Sequence, residues 1–238
     1  MSLLLRLSSL TALIVLLGFT AEPQGDKSIR IQLITGGHLH EISFYDVFQA
    51  DTDFDITVNP HPSAYQEDFR HDCDVLVLYD LADTNDDRER QHLREFLEAG
   101  KGVVVLHHAL ADNQHWPWWY EDVVGGRYLM APDGDLPAST YKHDQALTIH
   151  RTMKHAITDG IVDFDIVDEV YNHVWLPPKI QVLLETNHPL SEKPVAWICP
   201  YQKSRVVYIQ LGHGRQAHEN PAYRKVVRNA VLWAAARR

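Results

Sequence analysis

The chain has 238 residues, a formal net charge of −10, 15 histidines and two cysteines. An acidic surface argues against nucleic acid as a partner, because phosphate binding needs a basic patch. Cys73 and Cys199 lack zinc-finger spacing. Their number leaves two interpretations open, a single disulfide or two buried free thiols.

Residues 1–21 form an apolar leader, MSLLLRLSSLTALIVLLGFTA, with one cation and no acid. Its apolar stretch is short for a membrane span, which is typical of a secretory signal peptide. We therefore expect an exported protein, periplasmic or extracellular, that is free of the membrane once the leader is removed. The alternative is a membrane anchor, if the leader stays uncleaved. No linker or repeat divides the remainder, so residues 29–236 are expected to form one domain.

The first half of the chain alternates between strand and helix patterns. Short β-branched runs predict strands over 29–34, 54–58, 75–79 and 103–106. A helix is expected over 41–49, and a clearer one over 86–99, which begins with acids and ends at Gly100. This alternation predicts an α/β fold with a doubly wound, mainly parallel sheet.

The second half is rich in strands. Residues 110–143 form an aromatic excursion that is typical of a binding loop with a short helix. Asn220 and Pro221 begin the last predicted helix. Between the aromatic excursion and this last helix, strands are expected over 146–150, 164–167, 181–185, 195–198 and 205–211. These extra strands indicate an extension of the same sheet or a hairpin layer.

Imidazoles follow three of the predicted strands. His38 and His40 follow the first, His107 and His108 the fourth, and His213 the last. The carboxyl ends of parallel strands meet at one edge of a sheet, so these side chains are expected to converge. Convergent imidazoles indicate a metal centre or acid/base chemistry, while solvated or hydrogen-bonded core histidines are the alternative.

Other polar and aromatic groups could complete such a site. Asp168, Glu169 and Tyr171 come after a predicted strand and offer a general base and a hydroxyl donor. No serine or cysteine stands at the strand-to-turn position of His107, which argues against acyl transfer. The run before the last helix and the aromatic loop offer further candidates, which are Arg215, His218, Glu219, Trp116, Trp118, Trp119 and Tyr120. Each also has an ordinary interpretation, as a helix cap, an acidic loop or the packed underside of a loop.

Several motifs together resemble the ThuA-like (trehalose utilisation) family, in the same order along the chain. They are TGGHLHE, GKGVVVLHHA, PWWYEDVVGGRY, VDEVY, PVAWICPYQKSRVVYIQLGHG and NPAYRKVVRNAVLWAA, and the match runs from about residue 29 to the C-terminus. The resemblance implies a flavodoxin-like fold of the class I glutamine amidotransferase type, with His107 where amidotransferases carry cysteine. It also implies site residues at His40, His107, Glu169, Tyr171 and His213. In the run His155-Ala-Ile-Thr, this chain has Ala156 where the family often has a proline. This departure falls at a turn.

These observations lead to one preferred hypothesis and one alternative. The preferred hypothesis is an exported enzyme, a hydrolase, lyase or isomerase, that acts on a sugar or an oxidised (keto) sugar derivative by acid/base chemistry. The alternative is a carbohydrate-binding protein without turnover, and a glutamine amidotransferase is disfavoured. We assign catalysis to Glu169, Tyr171 and His107. If a divalent metal such as zinc is bound, we expect its ligands to be His40, His107 and His213. We assign substrate binding to Trp118, Trp119, His108, Arg215 and His218.

Overall fold

A single nine-stranded mixed sheet organises the chain. The computed structural model describes residues 28–49, 51–83, 86–199 and 201–236, so the predicted leader lies outside the described residues. The strands are β1 (Ile29–Gly36), β2 (Phe54–Pro60), β3 (Val75–Asp80), β4 (Gly102–Leu106), β5 (Thr140–Arg151), β6 (Phe164–Asn172), β7 (Gln181–Thr186), β8 (Pro194–Ile198) and β9 (Val206–Ile209). Their order in the sheet is β2-β1-β3-β4-β9-β8-β7-β5-β6.

The sheet has a parallel part and an antiparallel part. The parallel part comprises β2, β1, β3, β4 and β9, which pair in parallel throughout. The antiparallel part comprises β8, β7, β5 and β6, each antiparallel to its neighbour. The doubly wound sheet with extra strands in the second half is thus confirmed. The extra strands extend the same sheet.

Helices cover both faces of the parallel part. α1 (Asp87–Glu98) follows an Asp86 cap whose side chain accepts from the Arg88 N–H, and α3 (Pro221–Ala234) follows an Asn220 cap. α1 packs with one set of strand side chains and α3 with the other, which gives two apolar cores. A short helix, α2 (Arg215–His218), precedes α3. Such two-sided cover explains why the β3 and β4 strands are buried at every residue.

Four local features of the structure differ in detail from the expectations. The helix expected over 41–49 is a short 3-10 helix, Ile42–Val47. Residues 118–124 of the aromatic excursion form one π-helical turn, and the strand expected from 146 begins already at Thr140. Glu169 and Tyr171, expected after a strand, lie within β6.

Two further findings concern the cysteines and the membrane. Cys73 and Cys199 are both buried free thiols, so the disulfide alternative is wrong. Burial raises the pKa of the Cys73 thiol to about 12, which makes it a poor nucleophile. Within the described ranges, the helices are all too short or too polar to cross a membrane.

Candidate active site

His107 lies where β4 ends and the chain turns into a short 3-10 helix. Its φ of +51° is in the left-handed region, which is uncommon for a residue with a side chain and is often found at functional sites. Because the strand has already ended at Leu106, His107 and His108 can both line one cavity. This cavity measures about 260 Å³.

Residues from both parts of the sheet line this cavity. His107 and His108 come from the end of β4 and His213 from the loop after β9, whereas Glu169 and Tyr171 come from β6. Residues two apart on a strand face the same side, which is why Glu169 and Tyr171 enter the cavity together. The full set is His38, Leu81, His107, His108, Ala111, Tyr128, Met130, Tyr141, His143, Glu169, Tyr171 and His213.

The Glu169 carboxylate is the centre of the polar contacts. Glu169 is only 5 % exposed, and its Oε2 lies 2.7 Å from His213 Nδ1 and 2.9 Å from His143 Nδ1. His107 Nε2 lies 4.0 Å from the same oxygen. The hydrogen bond to Glu169 raises the pKa of His213, so this pair favours a charged imidazole beside a carboxylate.

His107 stays neutral in the same cavity. Its Nδ1 lies 2.7 Å from the Gln210 carbonyl oxygen, which can only accept, so Nδ1 carries the proton. Its Nε2 is then an acceptor, 3.1 Å from both the Tyr171 hydroxyl and His213 Nδ1. Burial, with further effects of His108 and His213, holds the pKa of His107 well below its usual range. The site therefore combines a neutral imidazole that accepts at Nε2 with an ion-paired imidazole.

The turn that presents His213 is held from several sides. Gly212 has a φ of +118°, and a Cβ there would lie 2.2 Å from the Tyr223 hydroxyl, so only glycine fits. The buried Asp168 carboxylate accepts from the N–H groups of Gly212 at 2.7 Å and His213 at 2.9 Å. Burial raises the pKa of Asp168 to about 6 against the opposing effect of these N–H donors, so the group is ionised at neutral pH. Asp168 thus fixes the backbone of His213 and is a positioning residue.

His218 belongs to the same support and not to the cavity wall. It is fully buried, its Nε2 donates to the Gly212 carbonyl at 2.9 Å, and its Nδ1 lies 2.8 Å from the Ser43 hydroxyl. Burial lowers its pKa. The sequence-based assignment of His218 to substrate binding is therefore replaced by a role in holding the His213 turn.

His40 lies apart from the imidazole group around Glu169. Its Nε2 is 3.1 Å from the Tyr45 hydroxyl, and its ring packs edge-on against Phe44 and Tyr79. Among the described residues, the group of side chains close enough to share a metal ion is His107, Glu169 and His213. The structure thus groups Glu169, and not the predicted His40, with His107 and His213.

The remaining predicted substrate-binding residues are divided between cavity, core and surface. His108 lines the cavity, and burial lowers its pKa to about 3, so it is a neutral hydrogen-bonding group. Trp119 is 1 % exposed and packs in the core on the α1 side, so the ordinary interpretation of the aromatic run holds for it. Trp118 lies under the Arg94 guanidinium, 3.8 Å away, and beside Tyr201. Arg215 is exposed and pairs with Glu219 at 2.7 Å.

His143 is the site residue that sequence reasoning missed. β5 changes register between Lys142 and Gln145, and Asp144 has a φ of +55°, so a bulge turns His143 toward Glu169. Bulges often redirect a side chain beside an active site. The available signal was a histidine next to an acid, KHD, at the end of the aromatic excursion.

Comparisons with known proteins agree with this architecture. The ThuA family profile, described as trehalose utilisation, matches residues 27–234. No curated protein matches the chain. A ThuA-like protein structure from Parabacteroides merdae is similar with a TM-score of 0.79 and 18 % identity, over 89 % of this chain and 91 % of that one. A second, from Bacteroides uniformis, gives 0.70 and 20 %, over 91 % and 95 %.

A third similarity concerns the fold alone. A structure described as a GMP synthase protein from Thermoplasma acidophilum is 10 % identical, with a TM-score of 0.53 over 88 % of this chain and 96 % of that one. The likeness is consistent with the flavodoxin-like fold of class I glutamine amidotransferases. Because the family profile covers nearly the whole domain, the chain belongs to the ThuA family of trehalose utilisation proteins.

Proposed function

We propose that this protein is an enzyme that acts on a sugar or an oxidised sugar derivative by proton transfer in the 260 Å³ cavity. Membership of a trehalose-utilisation family implies a carbohydrate-related role. The observation that carries the proposal is the buried Glu169 carboxylate, with imidazoles of His143 and His213 within 3 Å and His107 close by. Perturbed titratable groups gathered in a cavity are typical of acid/base sites.

We assign a role to each of these groups. Glu169 is the general base, and the His213 imidazolium paired with it is the general acid. His107 accepts a hydrogen bond at Nε2, from the Tyr171 hydroxyl or from a substrate hydroxyl. Burial raises the pKa of Tyr171 well above its usual range, so its hydroxyl stays protonated and acts as an orienting donor.

Alternatively, with His213 neutral, the same group of side chains fits a divalent cation such as zinc. Two imidazole nitrogens and one carboxylate oxygen form a ligand set that zinc enzymes use, with a further position open to water or substrate. The His107 Nδ1–H bond to a backbone carbonyl is the kind of outer contact that fixes a metal-binding tautomer. A bound cation would lower the pKa of water or polarise a carbonyl. His107, Glu169 and His213 would hold it.

Export is a separate proposal that rests on the leader at residues 1–21. N-terminal sequencing of protein recovered from the periplasm or medium should find the leader removed. An intact Met1 on protein in the cytoplasm would contradict export without touching the cavity chemistry.

The decisive experiment is Glu169→Gln, screened against glycosides and their keto derivatives together with metal analysis of the purified protein. Glutamine keeps size and hydrogen bonding but cannot accept a proton, so turnover should fall by about 10²- to 10⁴-fold. Asp163→Asn is the matched control, because Asp163 also lies 2.9 Å from an imidazole, that of His150, but on the exposed surface.

Four outcomes separate the interpretations. Lost turnover with unchanged metal content supports Glu169 as the base, whereas lost metal assigns it as a ligand. Full turnover and full metal content would contradict the proposal. Sugar affinity that survives His107→Ala, without turnover of any glycoside, would identify a carbohydrate-binding protein instead.

A further inference from the structure

A second depression adjoins the cavity. This groove of about 750 Å³ shares Leu81, Ala111 and Met130 with the cavity wall, so the two spaces adjoin along these residues. The cavity alone is smaller than the roughly 300–1,000 Å³ that is usual for ligand pockets, and the groove lies within that range. The adjoining groove offers space for the part of a larger ligand that the cavity cannot hold.

The lining of the groove carries polar groups that are already fixed in place. Arg127 is 13 % exposed at its side chain, exchanges backbone hydrogen bonds with Trp175, and donates from Nη1 to Asp133 at 2.8 Å. Its guanidinium lies 4.6 Å from the centre of the Tyr120 ring. In the same lining, the Asp83 carboxylate accepts from the Gln114 N–H at 2.7 Å. Side chains that are already held in place lose little conformational entropy when a ligand binds.

The charges of this lining favour a neutral, hydroxyl-bearing ligand. Asp133 compensates the Arg127 guanidinium, and Asp83 adds a second carboxylate, so the described residues that line the groove offer no uncompensated cation to an anion. Guanidinium N–H groups donate only and carboxylates accept only, so together they match hydroxyls, which do both. Arg127 has five N–H groups, and its contacts to Gln114 and Asp133 use two of them.

We propose that the groove lined by Tyr120, Arg127 and Asp133 is a second subsite, which binds a neutral hydroxylated unit linked to the unit that reacts in the cavity. The substrate class is then a glycoside of two linked units, not a free monosaccharide. This inference rests on the proposed function for the identity of the reacting end. The groove itself is tested by binding alone.

The test compares Asp133→Asn with wild-type protein on two substrates that share the reacting unit, a disaccharide and the corresponding methyl glycoside. A hydrogen bond to a charged group is worth a factor of about 10 to 100 in affinity. We expect kcat/KM for the disaccharide to fall by that factor and to change less than about twofold for the methyl glycoside. Asp122→Asn is the control, because Asp122 lines a different groove.

Binding separates this inference from the proposed function. In the Glu169→Gln background, calorimetry should show that Asp133→Asn weakens disaccharide binding and leaves methyl glycoside binding unchanged. If no glycoside is turned over but this difference persists, the enzyme proposal fails and the subsite stands. Equal losses for both ligands, no loss for either, or tighter binding of a phosphorylated than of a neutral disaccharide would overturn the subsite.

Discussion

The parallel and antiparallel parts of the sheet contribute different chemistry to one cavity. The parallel part is buried along β3 and β4 and supplies His107 and His213, next to strand ends. The antiparallel part has the largely exposed β5 and supplies His143, Glu169 and Tyr171 from within or beside its strands. The imidazoles at the parallel strand ends thus meet a carboxylate that the extension adds.

This meeting requires a curled sheet. β6 is four positions from β9 in the strand order, which would separate them by about 19 Å in a flat sheet. Yet Asp168 on β6 accepts a hydrogen bond of 2.7 Å from Gly212, just after β9. We call this contact of Asp168 with Gly212 and His213 the junction. It teaches that the extension completes the site by folding over the strand ends.

The largest expected effect concerns the core of the parallel part. Trp119→Ala should lower the free energy of unfolding by about 3–5 kcal/mol, because a fully buried aromatic side chain is removed. Urea denaturation measures this. Trp118→Ala is the matched control, with a smaller loss because Trp118 is only partly buried. Weaker sugar binding by Trp119→Ala at unchanged stability would support the predicted role of Trp119 in substrate binding instead.

A second expectation concerns how the stability of the parallel part of the sheet depends on pH. Burial raises the pKa of Asp80 to about 7 and also raises that of its neighbour Asp112, while the Tyr65 hydroxyl donates to Asp80. Because its pKa is raised in the folded state, the protonated Asp80 carboxyl contributes a share of the stability that is fully present below pH about 4. This share is lost as the pH rises through about 7. Asp80→Asn should remove that loss, which is at most about 4 kcal/mol.

Denaturation of Asp80→Asn and wild-type protein at pH 4, 6 and 8 gives the slope of the unfolding free energy against pH for each protein. The difference between the two slopes is the contribution of Asp80. Asp122→Asn serves as the exposed control and should follow wild type. Parallel slopes for Asp80→Asn and wild type would show that this carboxyl pair is not the source of the pH dependence.

The sequence predicted the parallel part well because its signals are local. Strand runs, the Asp86 and Asn220 caps, and Gly100 at a φ of +79° all act over a few residues. Strand-end reasoning then located His107 and His213. The junction depends on pairing between β5, β6 and β7 that periodicity does not encode. The inward position of Trp119 and the bulge at His143 are likewise decided by tertiary packing, so the sequence left the first open between binding and packing and missed the second.

The junction itself should show an intermediate effect. In Asp168→Asn, one amide oxygen replaces a carboxylate that accepts from three backbone N–H groups, those of Glu169, Gly212 and His213. We expect a loss of about 1–3 kcal/mol in unfolding free energy at neutral pH, since an N–H is left unpaired. Turnover should fall as well, because His213 loses its backbone support. Unchanged stability and turnover would mean that the two parts hold together without this contact.

The smallest effect is expected at the surface beside the junction. Arg215→Ala removes an exposed pair with Glu219 and should change stability by no more than about 0.5 kcal/mol. Because Arg215 lies outside the residues that line the cavity and the groove, the KM for a glycoside should change less than about twofold. A tenfold rise in KM would restore the sequence-based assignment of Arg215 to substrate binding.

The most direct test of the account asks whether the two parts form one catalytic centre. A double-mutant cycle combines Glu169→Gln from the antiparallel part with His213→Gln from the parallel part, and kcat/KM is measured for all four proteins. Because the two side chains lie 2.7 Å apart and act as a unit, the double variant should be about as active as the weaker single variant. Losses that multiply would show two independent groups and would contradict the shared centre.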